Sequence, residues 1–519
     1  MIIPGKEFYK DLEKGKSLSS AKNTLRGGNP REGYPLRRPR QESFDSTWLR
    51  SNPQRLVALC RLQAADTPLV VTIRRRKINH VVRTGLRPIF LFVDNEEKPE
   101  TKKNRRFTKR FKHWAKRADR KGKLSFARLQ RLVRNELFSS GEVFVKKIID
   151  RSDPARSPLK LQLVDRDQID RSKAGKTDNG GYIRRGIEYN PNGEEIAYWI
   201  FKRYPGEILT GINESTRLPA EWMLHVFDPE RVTQYEGVPE ASATVSTNGD
   251  LEDYLGAALQ QARSDALNYG ILTGGSAADL QAFNSPNSSA CPVPDSSGNW
   301  PVDWESDGSL TNETVINMDG GGRITVLPEG KFEAPNPNTP NSNLPQFAAA
   351  QSRRAALPVG TSYELATGDF TQTSFSGAMA SKQDTAVDFE CDQFVFIEEF
   401  CEKIMDWYLE SEWLYGPEDI KQALSGYGLD PDQYNLAVSW QYNGEQTLNP
   451  LQHANAAAKK IELGMSSHRT EAAALGENFD DNMDNQLEEL DLLIAREKKR
   501  VELLRLTEER TALETGKDG

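Results

Sequence analysis

An α+β fold is predicted by three observations on this sequence. Between Ser125 and Phe138, the residues Phe126, Leu129, Leu132, Val133 and Leu137 recur at helical spacing. Directly afterwards the period falls to two, so 141–148 and 159–164 are expected as strands. Ile183 to Tyr189 and Ile196 to Phe201 then flank Asn190-Pro191-Asn192-Gly193, a hairpin with its turn residues in place.

The other elements follow in chain order. Residues 1–44 are rich in Gly, Pro, Ser and Arg without periodicity and are expected as a flexible basic arm. From Asp45 to about Leu69 apolar residues recur irregularly, so a helix that ends before Pro68 is expected, and two short β-type runs around Gly85 between Val81 and Val93. Asp250 is placed to cap a helix carrying Leu251, Leu255, Leu259, Ala262 and Ala266, which ends near Gly274-Gly275. Residues 276–345 are dense in Pro, Gly, Asn and Ser, with short β-type pieces such as 323–327. Helix returns from Phe347 to Leu357. The longest helix is expected from Ser381 to Leu414, with Phe389, Phe396, Phe400, Ile404 and Trp407 as a core stripe. Asn449-Pro450 opens a helix that Gly464 closes, a short one ends at Gly476, and a charged helix runs from Asn482 to Thr511. In that last helix Leu487, Leu490, Ile494, Val501 and Leu504 fall partly in heptad register.

At 519 residues, with 37% hydrophobic and 28% charged side chains, the chain has room for several domains. No stretch approaches the ~18 apolar residues of a membrane helix, and residues 1–20 hold no signal-type apolar segment, so neither membrane spanning nor secretion is expected. Cys60, Cys291, Cys391 and Cys401 form no CxxC and are expected as reduced thiols. The net charge of −7 conceals a division. Residues 1–150 carry 37 Lys and Arg against 15 Asp and Glu, a balance of +22, and the remainder carries 31 against 60, or −29.

The densest basic run, 102–123, holds twelve cations and one acid, interleaved with Phe107, Phe111 and Trp114 on one helical face. Two readings stand. The run contacts a polyanion through Lys109, Arg110, Lys112, Lys116 and Arg117, or it is a solvated helix whose aromatic face docks on its own domain.

Enzyme signatures are missing. The five histidines form no ligand pair, no GxxxxGK[ST] or GxSxG occurs, and no GxGxxG follows a strand. No catalytic residue, metal or cofactor is predicted. Residues 461–470 resemble a helix-turn-helix superficially, but the second helix offers Arg469 alone before a run of acids, and an αα-hairpin is the better reading.

Five segments, in order, share the pattern of a known family. The first comprises FKHWAK (111–116), LSFARLQ (124–130) and GEVFV (141–145). The second is GIEYNPNG (186–193) with AYW (197–199) and Tyr204-Pro205. The third runs from Leu218-Pro219-Ala220 through HVFDPER (225–231) and Gln234 to Gly237-Val238-Pro239. The fourth is GTSYELATGD (360–369) with Phe375-Ser376-Gly377, and the fifth is NPLQHANA (449–456) with GMSS (464–467) and Gly476.

Together these segments resemble the portal proteins of tailed bacteriophages, in the lambda-type family, and the resemblance implies a portal-type fold: a mixed α/β wing over 45–249, stem helices and clip over 250–357, a tunnel loop within 358–378, a long helix of the wing or core over 379–448, and a helical crown over 449–519. It implies a cyclic homo-oligomer, typically of twelve copies, at one capsid vertex of the virion, assembled in the host cytoplasm. Double-stranded DNA would pass through its channel without sequence readout. Partners would be the large terminase subunit, a head–tail adaptor, and the major capsid and scaffold proteins. Arg323, Lys331, Arg353 and Arg354 become candidate channel or stem contacts, and Thr367, Gly368, Asp369, Phe370, Thr371 and Gln372 the candidate tunnel loop. The alternative is another head–tail structural protein without a DNA channel.

Overall fold

The computed structural model describes residues 44, 48, 52–92, 101–153, 156–205, 214–273, 314–317, 323–327, 332–333, 343–424, 436–441, 450–475 and 479–515. The chain divides into two units, residues 1–53 with 231–235, and the remainder. In the first, the Phe44 amide donates to Thr233 Oγ1 at 3.3 Å and Arg231 lies over the Phe44 ring. The expected arm, 1–44, lies almost wholly outside the described residues.

The second unit opens with α1 (Pro53–Asp66) and α2 (Pro68–Val81), bent by 89°. A helix stops before Pro68 as expected, but Pro68 also starts the next one. A proline in the first helical turn sacrifices an amide that has no intrahelical acceptor. Val81 is therefore helical, and only the second β-type run forms a strand, β1 (Arg87–Phe92). Among the described residues no single helix is long and apolar enough to cross a membrane.

After α3 (Thr101–Ala115) comes α4 (Phe126–Ser140), capped by Ser125 Oγ, which accepts from the Arg128 amide, and closed by left-handed Gly141. Six strands follow: β2 (Glu142–Ile149), β3 (Leu159–Val164), β4 (Gly175–Lys176), β5 (Tyr182–Arg184), β6 (Ile187–Tyr189) and β7 (Glu195–Phe201). The expected strand over 183–189 is split, because Arg185 and Gly186 both adopt positive φ (47° and 83°) and make a two-residue hairpin turn. The Asn190–Gly193 turn forms as read, with Asn190 Oδ1 accepting from the Asn192 and Glu194 amides at 2.9 Å. β8 (Ser215–Pro219) completes the meander β4-β5-β6-β7-β8, and β9 (Met223–Phe227) joins the antiparallel sheet β3-β2-β9.

α5 (Val245–Leu267) begins five residues before Asp250, directly after a 3-10 turn at Glu240–Thr244, so Asp250 is no cap. The helix also ends sooner than expected, giving way to β10 (Asn268–Thr273). β11 (Thr314–Asn317), β12 (Arg323–Leu327) and β13 (Phe332–Glu333) build with it a sheet of order β11-β12-β10-β13 in which β10 and β12 are parallel. The described part of the Pro/Gly/Asn-rich segment is thus organised as sheet; residues 274–313 lie outside the described ones.

α6 (Leu344–Ala356) and a 3-10 turn at Leu357–Val359 lead to α7 (Tyr363–Thr367) and α8 (Phe375–Phe396). α8 starts six residues before the expected position, continues through a π-helical turn at Ile397–Glu402 into α9 (Lys403–Tyr415), and is followed by α10 (Glu418–Ala423). The domain borders expected at 250 and 379 therefore fall inside α5 and α8. β14 (Leu436–Gln441) returns to pair antiparallel with β1, Arg87 opposite Gln441 and Phe92 opposite Leu436. α11 (Pro450–Glu462), α12 (His468–Ala474) and α13 (Phe479–Thr515) end the chain, with Gly464 left-handed between the first two, as in an αα-hairpin.

The core takes up the aromatic face of the basic run. Phe107, Phe111 and Trp114 are buried, Phe111 and Trp114 lie 5.2 and 5.1 Å from the Tyr408 ring of α9, and Trp114 Nε1 donates to the Leu159 carbonyl. The aromatic face of α3 is core. Phe389, Phe396, Phe400 and Ile404 of the long helix are buried too, with Trp407 at the margin. Each such side chain contributes roughly 1.5–3 kcal/mol by leaving water.

Candidate functional site

The connector from α6 to α8 is pinned at every turn. Ser362 Oγ accepts from the Leu365 amide and Ser374 Oγ from the Gly377 amide, so both helix starts are capped. Gly360 (φ 65°) turns the chain beside Asp388, and Gly368 (φ 76°) ends α7. Asp369 then gathers the loop, accepting from the Thr371 amide (3.0 Å), the Thr371 hydroxyl (2.6 Å) and the Tyr363 hydroxyl (3.1 Å). Those Thr371 hydrogen bonds, joined by the one from Tyr363, hold the Asp369 carboxyl below its ordinary value. Glu364 accepts from Thr373 and Ser381 at 3.3 and 3.1 Å.

A pinned backbone leaves side chains free to project. Thr367, Gly368, Phe370, Thr371 and Gln372 are exposed, Phe370 to 53%, and Phe375 at the start of α8 to 76%. Of the candidate tunnel-loop residues, only Thr367 is helical. Behind Phe370 lies a cavity of about 250 Å³ lined by His80, Leu365, Phe375, Met379 and Phe389.

The candidate cations separate. Arg353 and Arg354 are exposed on α6, and the Arg353 guanidinium lies 4.6 Å over the Tyr363 ring, which ties α6 to the connector. Arg323 opens β12 opposite Asn317 and Asn268, and Lys331 lies outside the described residues. On α3 and its following loop, Lys109, Lys112, Lys116 and Arg117 are exposed. Arg110 does not belong with them. It turns inward to Glu412, at 2.7 Å, because burial of that carboxylate demands a partner. Burial raises the Glu412 carboxyl even so.

Two ionic networks that sequence reasoning missed hold this framework. In the first, Glu142 on β2 accepts from His225 Nε2 (2.8 Å) and the Gly237 amide (3.0 Å) and pairs with Arg166 and Arg171. Glu236 balances the cluster through Arg166, Arg171 and Arg185. Burial would lower the His225 pKa, but the charge of Glu195 and the hydrogen bonds to Glu142 and Glu195 raise it to about 9. Burial likewise opposes ionisation of Glu142, and Arg171 and Arg166 outweigh it and lower its pKa.

In the second network, Lys77 reaches Glu240 and Asp392 (2.7 and 3.1 Å), and Arg134 reaches the same two acids. It joins α2, α4 and α8. Burial raises the Glu240 pKa less than Arg134 and Lys77 lower it, leaving it at about 2. The motif glycines are part of the same construction. A Cβ on Gly141 would stand 2.4 Å from the Val238 carbonyl carbon, and one on Gly237 2.0 Å from the Gly141 oxygen. GEVFV and Gly237-Val238-Pro239, far apart in sequence, are thus one interlocked joint.

Among the described residues no group of three or more His, Cys, Asp or Glu is arranged to hold a metal ion.

Comparison with known proteins fits this picture. Residues 36–393 match the family described as "Phage portal protein, lambda family". A "Probable portal protein" of Halomonas phage phiHAP-1 is 28% identical over 357 residues, 68% of this chain and 63% of that protein. The match therefore spans somewhat less than two thirds of that relative's length. Among solved structures, the neck of an empty gene transfer agent particle computed with C6 symmetry is similar at TM-score 0.37 and 13% identity, covering 81% of this chain and 93% of the other. The neck of a native particle computed with C12 symmetry is similar at TM-score 0.37 and 14% identity, covering 82% and 94%. Similarity that low carries no weight here. The family match takes in the interlocked glycine joint, both ionic networks and the pinned connector, and the chain belongs to the lambda family of phage portal proteins.

Proposed function

We propose that this protein forms a closed ring, of twelve copies, at one vertex of a phage capsid, and that DNA enters and leaves the head through its axial channel. The family match over residues 36–393 carries the reading. In it the large terminase subunit docks on the ring and supplies the ATP hydrolysis for which this chain has no P-loop. A head–tail adaptor occupies the same axis after packaging, and capsid and scaffold proteins hold the ring in the shell. The protein itself is not an enzyme.

The chemistry of the chain supports a conduit. Each phosphate held by Lys or Arg adds salt-dependent affinity, so a wall rich in cations would grip the duplex it has to pass. The balance of −29 over 151–519 favours sliding. A connector with a fixed backbone and an exposed Phe370 suits a tunnel loop, since it offers DNA an apolar contour with one carboxylate tied back. Arg353 and Arg354 on α6 are the cations nearest to it on its N-terminal side. The exposed lysines of α3 face outward in this arrangement, toward shell, scaffold or packaged DNA.

Negative-stain images of the purified full-length protein test the proposal. Closed rings with an axial hole wide enough for a duplex are expected, alone or with scaffold protein present. Particles without a hole under both conditions would favour a head–tail structural protein that conducts no DNA.

A further inference from the structure

The basic run keeps its charge turned outward in the folded chain. Every exposed side chain from Lys102 to Lys123 is lysine, arginine or histidine. On α3, Lys102, Arg105, Lys109 and Lys112 recur at steps of three and four, so they share one face about 15 Å long. Lys116 and Arg117 extend it past the helix end. At about 100° per residue, Lys109 points about 200° from buried Phe111, and Lys112 about 200° from buried Trp114. The cations therefore stand opposite the face that packs.

The one acid of the run does not neutralise this face. Asp119 is buried and accepts from the Leu124 amide at 2.8 Å and the Lys121 amide at 3.2 Å. Arg106 pairs with Asp419 at one margin. Beside the loop after α3, Lys160 of β3 adds a further cation, its Nζ donating to the Arg117 carbonyl at 2.6 Å.

The chemistry of the face selects its partner. Protein interfaces bury an apolar or aromatic centre and are poor in lysine, and this face has no exposed apolar side chain. Single-stranded nucleic acid stacks its bases on exposed rings, and Phe107, Phe111 and Trp114 are all buried. A duplex presents phosphates instead, one charge per ~1.7 Å, or about nine over 15 Å. A face that grips phosphates is unsuited to a wall that DNA must slide past.

We propose that α3 and the loop after it form a second DNA-binding surface, outside the channel, which holds duplex DNA by its phosphates without reading sequence. The inference rests on the portal reading for the source of that DNA, the packaged genome. The surface itself follows from α3 alone.

A covalently closed duplex circle, which cannot thread a closed ring, separates this surface from the channel. The full-length protein is titrated with the circle at about 50 to 200 mM salt. Binding is expected. Lys109→Gln, Lys112→Gln and Lys116→Gln together should weaken it about tenfold or more and flatten the slope of log affinity against log salt by about 2–3. Arginine at the same positions should preserve binding. A circle left unbound, or bound equally well by the glutamine variant, would overturn the inference. So would competition by polyglutamate as effective as by duplex, which would mean an acidic protein partner. Closed rings that fail to bind the circle leave the portal reading intact. Circle binding without rings supports this surface and counts against that reading.

Discussion

The mixed α/β core and the C-terminal helix treat their apolar side chains in opposite ways. In the core, charges as well as rings are matched by the chain's own residues: His225 lies between Glu142 and Glu195, and Phe111 meets Tyr408 at 5.2 Å. In α13, Leu492 and Leu503 stand 71% and 65% exposed. Burial of a leucine contributes a few kcal/mol wherever its cover comes from. The difference separates apolar side chains that the described fold covers from apolar side chains that it leaves in solvent.

The sharpest way to break that contrast is to remove a charge from the core. Glu142→Ala leaves Arg166, Arg171 and His225 without their shared carboxylate and should cost about 3–5 kcal/mol, read by urea unfolding in a fixed assembly state. Phe111→Ala opens a cavity among aromatic rings and should cost about 3–5 kcal/mol in the same assay. On α13, Leu492→Ala should leave unfolding within about 0.5 kcal/mol, because that side chain is already in solvent.

Acidity and alkalinity probe the networks next. The His225 pKa is raised from 6.5 to about 9, so the folded state holds this proton more tightly. Its contribution, about 3 kcal/mol at most, is complete below pH 6.5 and is lost as pH climbs through 9. The Glu240 pKa is lowered from 4.5 to about 2, so its contribution holds above pH 4.5 and is lost as pH falls toward 2. Stability against pH should therefore fall on both sides of a plateau, and His225→Asn should flatten the alkaline side. An unchanged alkaline slope in that variant would remove His225 from the account.

Smaller effects refine the picture. Gly141→Ala forces a side chain into the Val238 backbone at a φ of 83°, and about 1–3 kcal/mol should be lost. Lys112→Ala, on the exposed side of the same helix as Phe111, should change unfolding by less than about 0.5 kcal/mol. A loss as large as that from Phe111→Ala would mean that the basic face packs as well.

Local pattern made much of this legible. The α4–β2 switch, the Asn190–Gly193 turn and the stripe of the long helix are all short-range signals, and they stand where the periodicity put them. What escaped depended on distance or on backbone detail. β1 finds its partner at β14, about two thirds of the chain's length away, and nothing in either strand names the other. Pro68 read as a stop because a proline that ends one helix and starts another looks the same in one dimension. Arg185 broke a strand with a positive φ that arginine rarely adopts. Glu142 read as an ordinary polar position in a strand, since its imidazole partner lies 83 residues further on. Arg110 counted as a surface cation until Glu412, 302 residues distant, claimed it. The connector motif was visible as a resemblance, but its hydrogen-bonded pinning by Asp369 and Glu364 emerged only in three dimensions.

The mass of the purified full-length protein, measured by light scattering, tests the central claim most directly. Twelve copies of a 58.3 kDa chain give a particle of roughly 700 kDa, and a single species near that mass is what a closed portal ring predicts. A species of one or two copies that persists at high concentration and with scaffold protein added would contradict it.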